Sequence, residues 1–170
     1  REKLTPMLLS IEFLSEEVKG CDREVDRLAA ERYAESALLT PVLGVGNLTA
    51  LAYVLTLADP AHVACSRDVG PFLGLAPRRD QSGETDKHLR ISKAGDGLVR
   101  TLLVQCAHYI LGRNGQDSDL KRYGERIASR GGKIAKRKAV IAVARKLAVL
   151  MHALWKTGEV YDPLRRSRAA

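Results

Sequence analysis

Three cysteines, Cys21, Cys65 and Cys106, lie far apart and form no Cys-x-x-Cys pair. That argues against a zinc or disulfide framework and favours a reducing compartment. No apolar run approaches membrane-spanning length, and the first residues do not resemble a signal peptide. No Gly-x-x-x-x-Gly-Lys-Ser/Thr segment occurs, and no third glycine completes a Gly-x-Gly-x-x-Gly pattern, so a nucleotide-binding loop is disfavoured. No stretch alternates convincingly with the period of a strand, and no Ser-His-Asp spacing is evident. The chain starts without a methionine in the middle of a helical repeat, so a fragment of a longer protein is expected.

What is present is apolar helix and unevenly placed charge. The 170 residues are 45% apolar, enough for one core or a core with an extension. Residues 1–66 carry 6 Lys/Arg against 10 Asp/Glu, while residues 67–170 carry 22 against 10. A polyanion partner for the second part, nucleic acid first among them, follows from that asymmetry.

The opening segment is a strict heptad. Leu4, Ile11, Val18 and Val25 form one row, and Met7, Leu14, Cys21 and Leu28 the other. This is the seam of a coiled coil, narrower than the stripe that faces a globular core. Both rows turn charged at Arg32 and Glu35, so the helix is expected to end near Ala37, with residues 1–37 as an assembly element and a homo-oligomer as its product. The plainer reading is an amphipathic helix lying on its own domain.

Residues 38–170 are expected to form one helical domain, so the fold is predicted to be all-α. Its first part, about 38–57, contains Gly44-Val45-Gly46 with Leu39, Leu43, Leu48, Leu51 and Val54 around it. This resembles the helix-hairpin-helix of DNA-binding proteins. Its glycines allow a tight turn and close approach of a phosphate to free N–H groups at a helix start, with no sequence readout. Asn47 and Thr49 are candidate donors beside Gly44 and Gly46. An ordinary turn between helices is the alternative. Farther on, Asp96 is placed to cap a helix ending at Gly112, Asp117 or Ser118 to cap another, and Gly158 to stop the last, which runs from about Ile134 to Lys156. Lys133, Lys136, Arg137, Lys138, Arg145 and Lys146 crowd the first half of that helix, where a counter-anion such as DNA would relieve their opposition to the helix dipole. His108, His152, Tyr109, Trp155 and Tyr161 read as packing residues, although the aromatics could stack on bases.

The polar run from Gln81 to Gly97 reads as a loop. Around it stand Gly74-Leu75-Ala76-Pro77, Ser82-Gly83, Ile91-Ser92-Lys93-Ala94-Gly95-Asp96 and Val99-Arg100-Thr101-Leu102-Leu103. In content and order these elements resemble the C-terminal transposase domain of the DEDD-type, bridge-RNA-guided insertion-sequence recombinases, a family that includes a pilin-gene invertase. There are two departures from the pattern. Arg90 stands where the family usually has glycine, and Glu84 and Asp86 dilute the basic stretch after Ser82-Gly83.

The resemblance implies a division of labour. A preceding resolvase-like domain with an RNase H fold would hold magnesium on four acids, and no metal ligand is assigned within this chain. The helical coiled coil would mediate assembly. The segment at about 77–97 would be the catalytic loop, with Ser82 attacking a DNA phosphate and becoming joined to the strand. A Ser92-type hydroxyl, interchangeable with Thr in the family, would be structural or phosphate-binding. Arg78, Arg79, Lys87, Arg90, Lys93 and Arg100 would hold the DNA backbone, with a guide RNA choosing the sequence. A bacterial, cytoplasmic, nucleoid-associated protein is implied, and the chain alone is expected to be inactive. Taken without the resemblance, Ser82 is a turn residue and Ser92 a helix cap. A non-catalytic helix-hairpin-helix module and a coiled-coil assembly protein are the competing functions.

Overall fold

The computed structural model describes residues 4–82 and 85–165, with the backbone alone for residues 79–82 and 85–88. Six α-helices and one two-stranded sheet make up the described part. The mostly helical fold follows the sequence, and the hairpin is the departure from it.

Helix α1 (Thr5–Arg32) is 28 residues long and has Pro6 in its first turn, where a missing N–H does no harm. It ends five residues before the expected Ala37. From there Ser36 N donates to Tyr33 O at 2.8 Å, Leu39 N to Ser36 O at 3.0 Å and Val42 N to Leu39 O at 3.1 Å, and a 3-10 helix spans Ala34–Leu38. These tighter turns bring Leu39 and Val42 into the core. Only the last part of α1 touches the body. Ala29 is buried, Val25 and Leu28 are half-buried, and Asn47 Nδ2 donates to Asp26 Oδ1 at 2.6 Å. The heptad row above is bare: Met7 is 61% exposed, Ile11 58% and Val18 59%.

Helix α2 (Asn47–Leu57) is followed by 3-10 turns at Pro60–His62 and Ser66–Asp68 and by the short α3 (Val69–Phe72). Then come the strands β1 (Pro77–Ser82) and β2 (Thr85–Ile91), and the helices α4 (Gly97–Leu111), α5 (Asp119–Ala128) and α6 (Gly132–Thr157). Capping follows the sequence closely. Asp96 Oδ1 accepts from Val99 N at 2.7 Å. Ser118 Oγ accepts from Lys121 N at 3.2 Å, while Asp117 pairs with Arg122 instead. Gly158 ends α6 with φ +67°.

Leu39, Tyr53, Leu73, Leu103, Ile110, Leu147 and Met151 form the centre of the core. Each such side chain contributes about 1.5–3 kcal/mol on burial. Two polar groups cross this core in satisfied form. The Tyr53 hydroxyl donates to Ala148 O at 2.7 Å. His152 is fully buried, with Nε2 3.0 Å from Pro60 O and Nδ1 2.9 Å from Ser66 Oγ. A carbonyl can only accept, so Nε2 carries the proton and Nδ1 accepts from Ser66. Burial lowers the His152 pKa and keeps the ring neutral. Among the described residues no helix is long and apolar enough to cross a membrane.

Candidate nucleic-acid interface

The segment expected to be a loop is a hairpin over its first two-thirds. Strands β1 and β2 pair antiparallel, from Pro77 opposite Ile91 to Ser82 opposite Thr85. The register slips between Pro77 and Arg79: two steps along β1 answer three along β2, so β2 carries a one-residue bulge at Leu89–Arg90. Arg90, the position where the family pattern has glycine, therefore lies in the bulge. Its backbone stays at negative φ, so no glycine is needed there in this chain. Among the described residues the two strands pack chiefly on each other.

Its base is closed backbone on backbone. Gly74 has φ +70°, and a Cβ there would sit 2.1 Å from Ala94 O. Gly95 has φ +73°, and a Cβ there would sit 2.1 Å from Phe72 O. Each glycine thus admits the chain that carries the other. Ser92 N donates to Ala76 O at 2.9 Å and Lys93 N to Gly74 O at 3.1 Å. Arg100, from the first turn of α4, lays Nη1 between Leu73 O (3.2 Å) and Ala94 O (2.9 Å). Arg78 Nη2 reaches Ser92 O at 3.2 Å. Lys93 occupies the left-handed region at φ +57°, an uncommon conformation for a side chain of its size. Ser92 Oγ accepts a long bond of 3.4 Å from Ala94 N.

The sequence motif therefore divides into two groups of residues. Gly74, Gly95, Asp96 and Arg100 hold the base together, and Arg100 is already engaged with two carbonyls rather than pointing free. Lys93, Arg90 and Arg78 are exposed. Arg79, Ser82 and Lys87 lie on the strands, and their side chains are outside the described residues. By backbone position Ser82 ends β1, at the far end of the hairpin from Ser92. Five residues of strand separate the two ends, about 16 Å.

The glycine turn forms a separate surface. Gly44 (φ +82°) lies against α4, where a Cβ would meet Tyr109 Cδ1 at 3.0 Å and Cys106 O at 3.3 Å. Its lack of a side chain is explained by that packing. Gly46 opens outward: nothing lies within 4 Å of an added Cβ, and it begins α2 with no side-chain cap. Thr49 and Asn47, read as donors to a phosphate, are turned to other tasks. Thr49 is buried with Oγ1 3.7 Å from Cys106 Sγ, and Asn47 holds Asp26. A shallow depression of about 390 Å³ is lined by the turn and by Leu102, Gln105 and Tyr109 of α4. Arg100 and Tyr109 are nine residues apart on α4, about two and a half turns, which puts them on opposite sides of that helix. The glycine turn and the hairpin base are thus not one site. The reciprocal glycines were missed in the sequence as structural partners, although their flanking Pro77 and Asp96 mark the two chain turns.

Among the described residues no three His, Cys, Asp or Glu side chains gather to hold a metal ion.

The sequence profile of the transposase IS116/IS110/IS902 family matches residues 36–124, 89 of the 170 residues. The chain is 36% identical over 101 residues to the transposase for insertion sequence element IS1328 of Yersinia enterocolitica, covering 59% of this chain and 30% of that protein. It is 31% identical over 147 residues to the transposase for insertion sequence element IS1111A of Coxiella burnetii, covering 86% of this chain and 40% of that protein. The pilin gene-inverting protein of Moraxella lacunata is 23% identical over 157 residues, 90% of this chain and 48% of that protein. The chain thus spans between 30% and 48% of the length of these relatives. The matched segment runs from the 3-10 turn into α5 and contains both the glycine turn and the hairpin with its interlocked base, so the chain belongs to the IS116/IS110/IS902 transposase family.

Proposed function

We propose that this chain is the DNA-handling part of an insertion-sequence transposase, and that Ser82 is its nucleophile. The observation that carries the reading is the hairpin within the family-matched segment, with a serine at the end of β1 and a locked base. A serine carried on a segment tied down at its base can be presented to a phosphate by the scaffold beneath it. In the reaction, the Ser82 Oγ–P bond forms as a P–O bond to the neighbouring sugar breaks, and the serine proton passes to the departing sugar oxygen. Rejoining reverses these roles. Magnesium, held by acids of a resolvase-like domain outside this chain, would stabilise charge on the phosphate.

Arg78, Arg90 and Lys93, with Arg79 and Lys87, are proposed to grip the DNA backbone on either side, with sequence left to a guide RNA. Arg100 is a positioning residue, since its guanidinium ties Leu73 to Ala94. The Ser92 hydroxyl, engaged by its own turn, supports the choice of Ser82. Gly46 and the uncapped start of α2 support a second, sequence-blind backbone contact of helix-hairpin-helix type. The bare seam of α1 supports assembly with further copies.

The test uses the full-length protein with guide RNA, magnesium and donor DNA. Ser82→Ala should abolish the covalent protein–DNA adduct on a denaturing gel and leave complex assembly intact. Ser92→Ala should only weaken the adduct. An adduct that survives Ser82→Ala and vanishes with Ser92→Ala transfers the role to Ser92. Survival in both variants makes the hairpin a grip and the chain a non-catalytic binding module.

A further inference from the structure

From Arg126 to Gly158 the chain contains nine Lys/Arg and no Asp or Glu. Two of these cations have internal tasks. Lys146 lies 4.1 Å from the centre of the Tyr123 ring, and Lys156 Nζ donates to Ala64 O at 2.9 Å. Lys133, Lys136, Arg137 and Lys138, in the first two turns of α6, are all exposed. Among the described residues none of the four makes an ion pair. Arg126 and Arg130, exposed near the end of α5, flank the same tip.

The placement is directional. Ala135, Ala139 and Val143 recur every four residues and are buried, which fixes the inner face of this half of α6. Lys133 and Arg137, one turn apart, and Lys138 and Arg145, two turns apart, fall on the outer side. The row ends against α3: a Cβ on Gly70 would lie 2.8 Å from Arg145 Cγ and 2.9 Å from its Nε. Three residues beyond Gly70 is Leu73, whose carbonyl is held by Arg100 at the hairpin base. From Lys133 to Arg145 the helix rises about 18 Å, roughly half a turn of duplex.

We propose that the outer face of α6, from Lys133 to Arg145, is a second nucleic-acid track that takes the phosphodiester backbone of a duplex and leads it toward the hairpin base. The inference rests on the nucleic-acid-binding reading above and adds to it a surface made of different residues. Four exposed cations around a helix start oppose one another and the helix dipole. With no Asp or Glu between Arg126 and Gly158 to answer them, a counter-charge from outside would relieve them, and a row of phosphates matches them in sign. DNA and double-stranded RNA share this chemistry.

The experiment compares the whole chain with the triple variant Lys133→Gln, Arg137→Gln, Lys138→Gln. Binding to a labelled DNA duplex, and separately to an RNA stem-loop of the same stem sequence, is followed by anisotropy over a series of salt concentrations. Thermal unfolding matched to the parent verifies that the variant is folded. The track predicts at least a tenfold loss of affinity at low salt, and a log K against log salt slope shallower by about 2 to 3, given about 0.9 per phosphate released. A loss confined to one probe assigns the track to DNA or to RNA. Unchanged slopes on both probes overturn the track and leave the hairpin reading standing. A parent chain that binds neither probe removes both.

Discussion

The hairpin base and the N-terminal helix make opposite use of their sequence motifs. At the base, Gly74, Gly95, Asp96 and Arg100 find their partners within the chain: glycine against backbone, Arg100 on two carbonyls, Asp96 on Val99 N. On α1 the strictest pattern in the molecule meets nothing, and Met7, Ile11 and Val18 remain more than half exposed. Regular patterning thus marks where a surface is specified, and only the structure tells whether its partner is inside the chain. The base is a finished joint, and the outer turns of α1 meet nothing among the described residues.

That contrast can be broken most severely at the base. Gly74→Ala or Gly95→Ala places a Cβ 2.1 Å from a carbonyl oxygen at a positive φ. Overpacking and left-handed strain together should remove about 3 to 4 kcal/mol. Calorimetry should show a Tm lower by about 10 °C for either variant. A Tm within two or three degrees of the parent would mean that the interlock yields easily.

A change on α1 should do the reverse. Ile11→Glu with Val18→Glu should leave the Tm of the body unchanged, since neither residue packs on it. Sedimentation should show self-association weakened at least tenfold, about 1.4 kcal/mol or more. A parent chain that is monomeric at high concentration would show that the seam does not join copies of this chain.

The smallest effect is expected where the base carries strain. Lys93 sits at φ +57°, and Lys93→Gly relieves that strain while loosening the unfolded chain. The net gain should be about 0.5 kcal/mol, read as a slight rise in Tm. DNA affinity should fall at the same time, with a slope against salt reduced by about one unit. Stability and binding moving in opposite directions would show that the strained conformation serves the ligand. If both fall, Lys93 is part of the joint.

The helices were legible because their signals are local. Asp96, Ser118 and Gly158 cap where a capping rule places them, and the buried faces of α4 and α6 follow a helical period. The hairpin was not, because PRRDQS and TDKHLRI have little alternation and few β-branched or aromatic residues. Strand preference depends on what a strand pairs with, and here the pairing is set by the closed base far from the charged turn. In the candidate site, Ser82, Lys93 and Arg100 could be named from motif order. The clamp made by Arg100, the inward turn of Thr49 and the engagement of Asn47 depend on contacts across 21 to 57 residues of chain, which no spacing rule reports.

Helix α1 is also a lever. Its 28 residues extend about 42 Å from Thr5 to Arg32, and Asn47 holds Asp26 near the end that meets the body. A tilt of 10° at Arg32 would swing Thr5 through about 7 Å, more than half the width of a helix. A partner gripping the outer turns would therefore read small rotations of the body as large displacements, and a force applied there would return to the core multiplied by the arm.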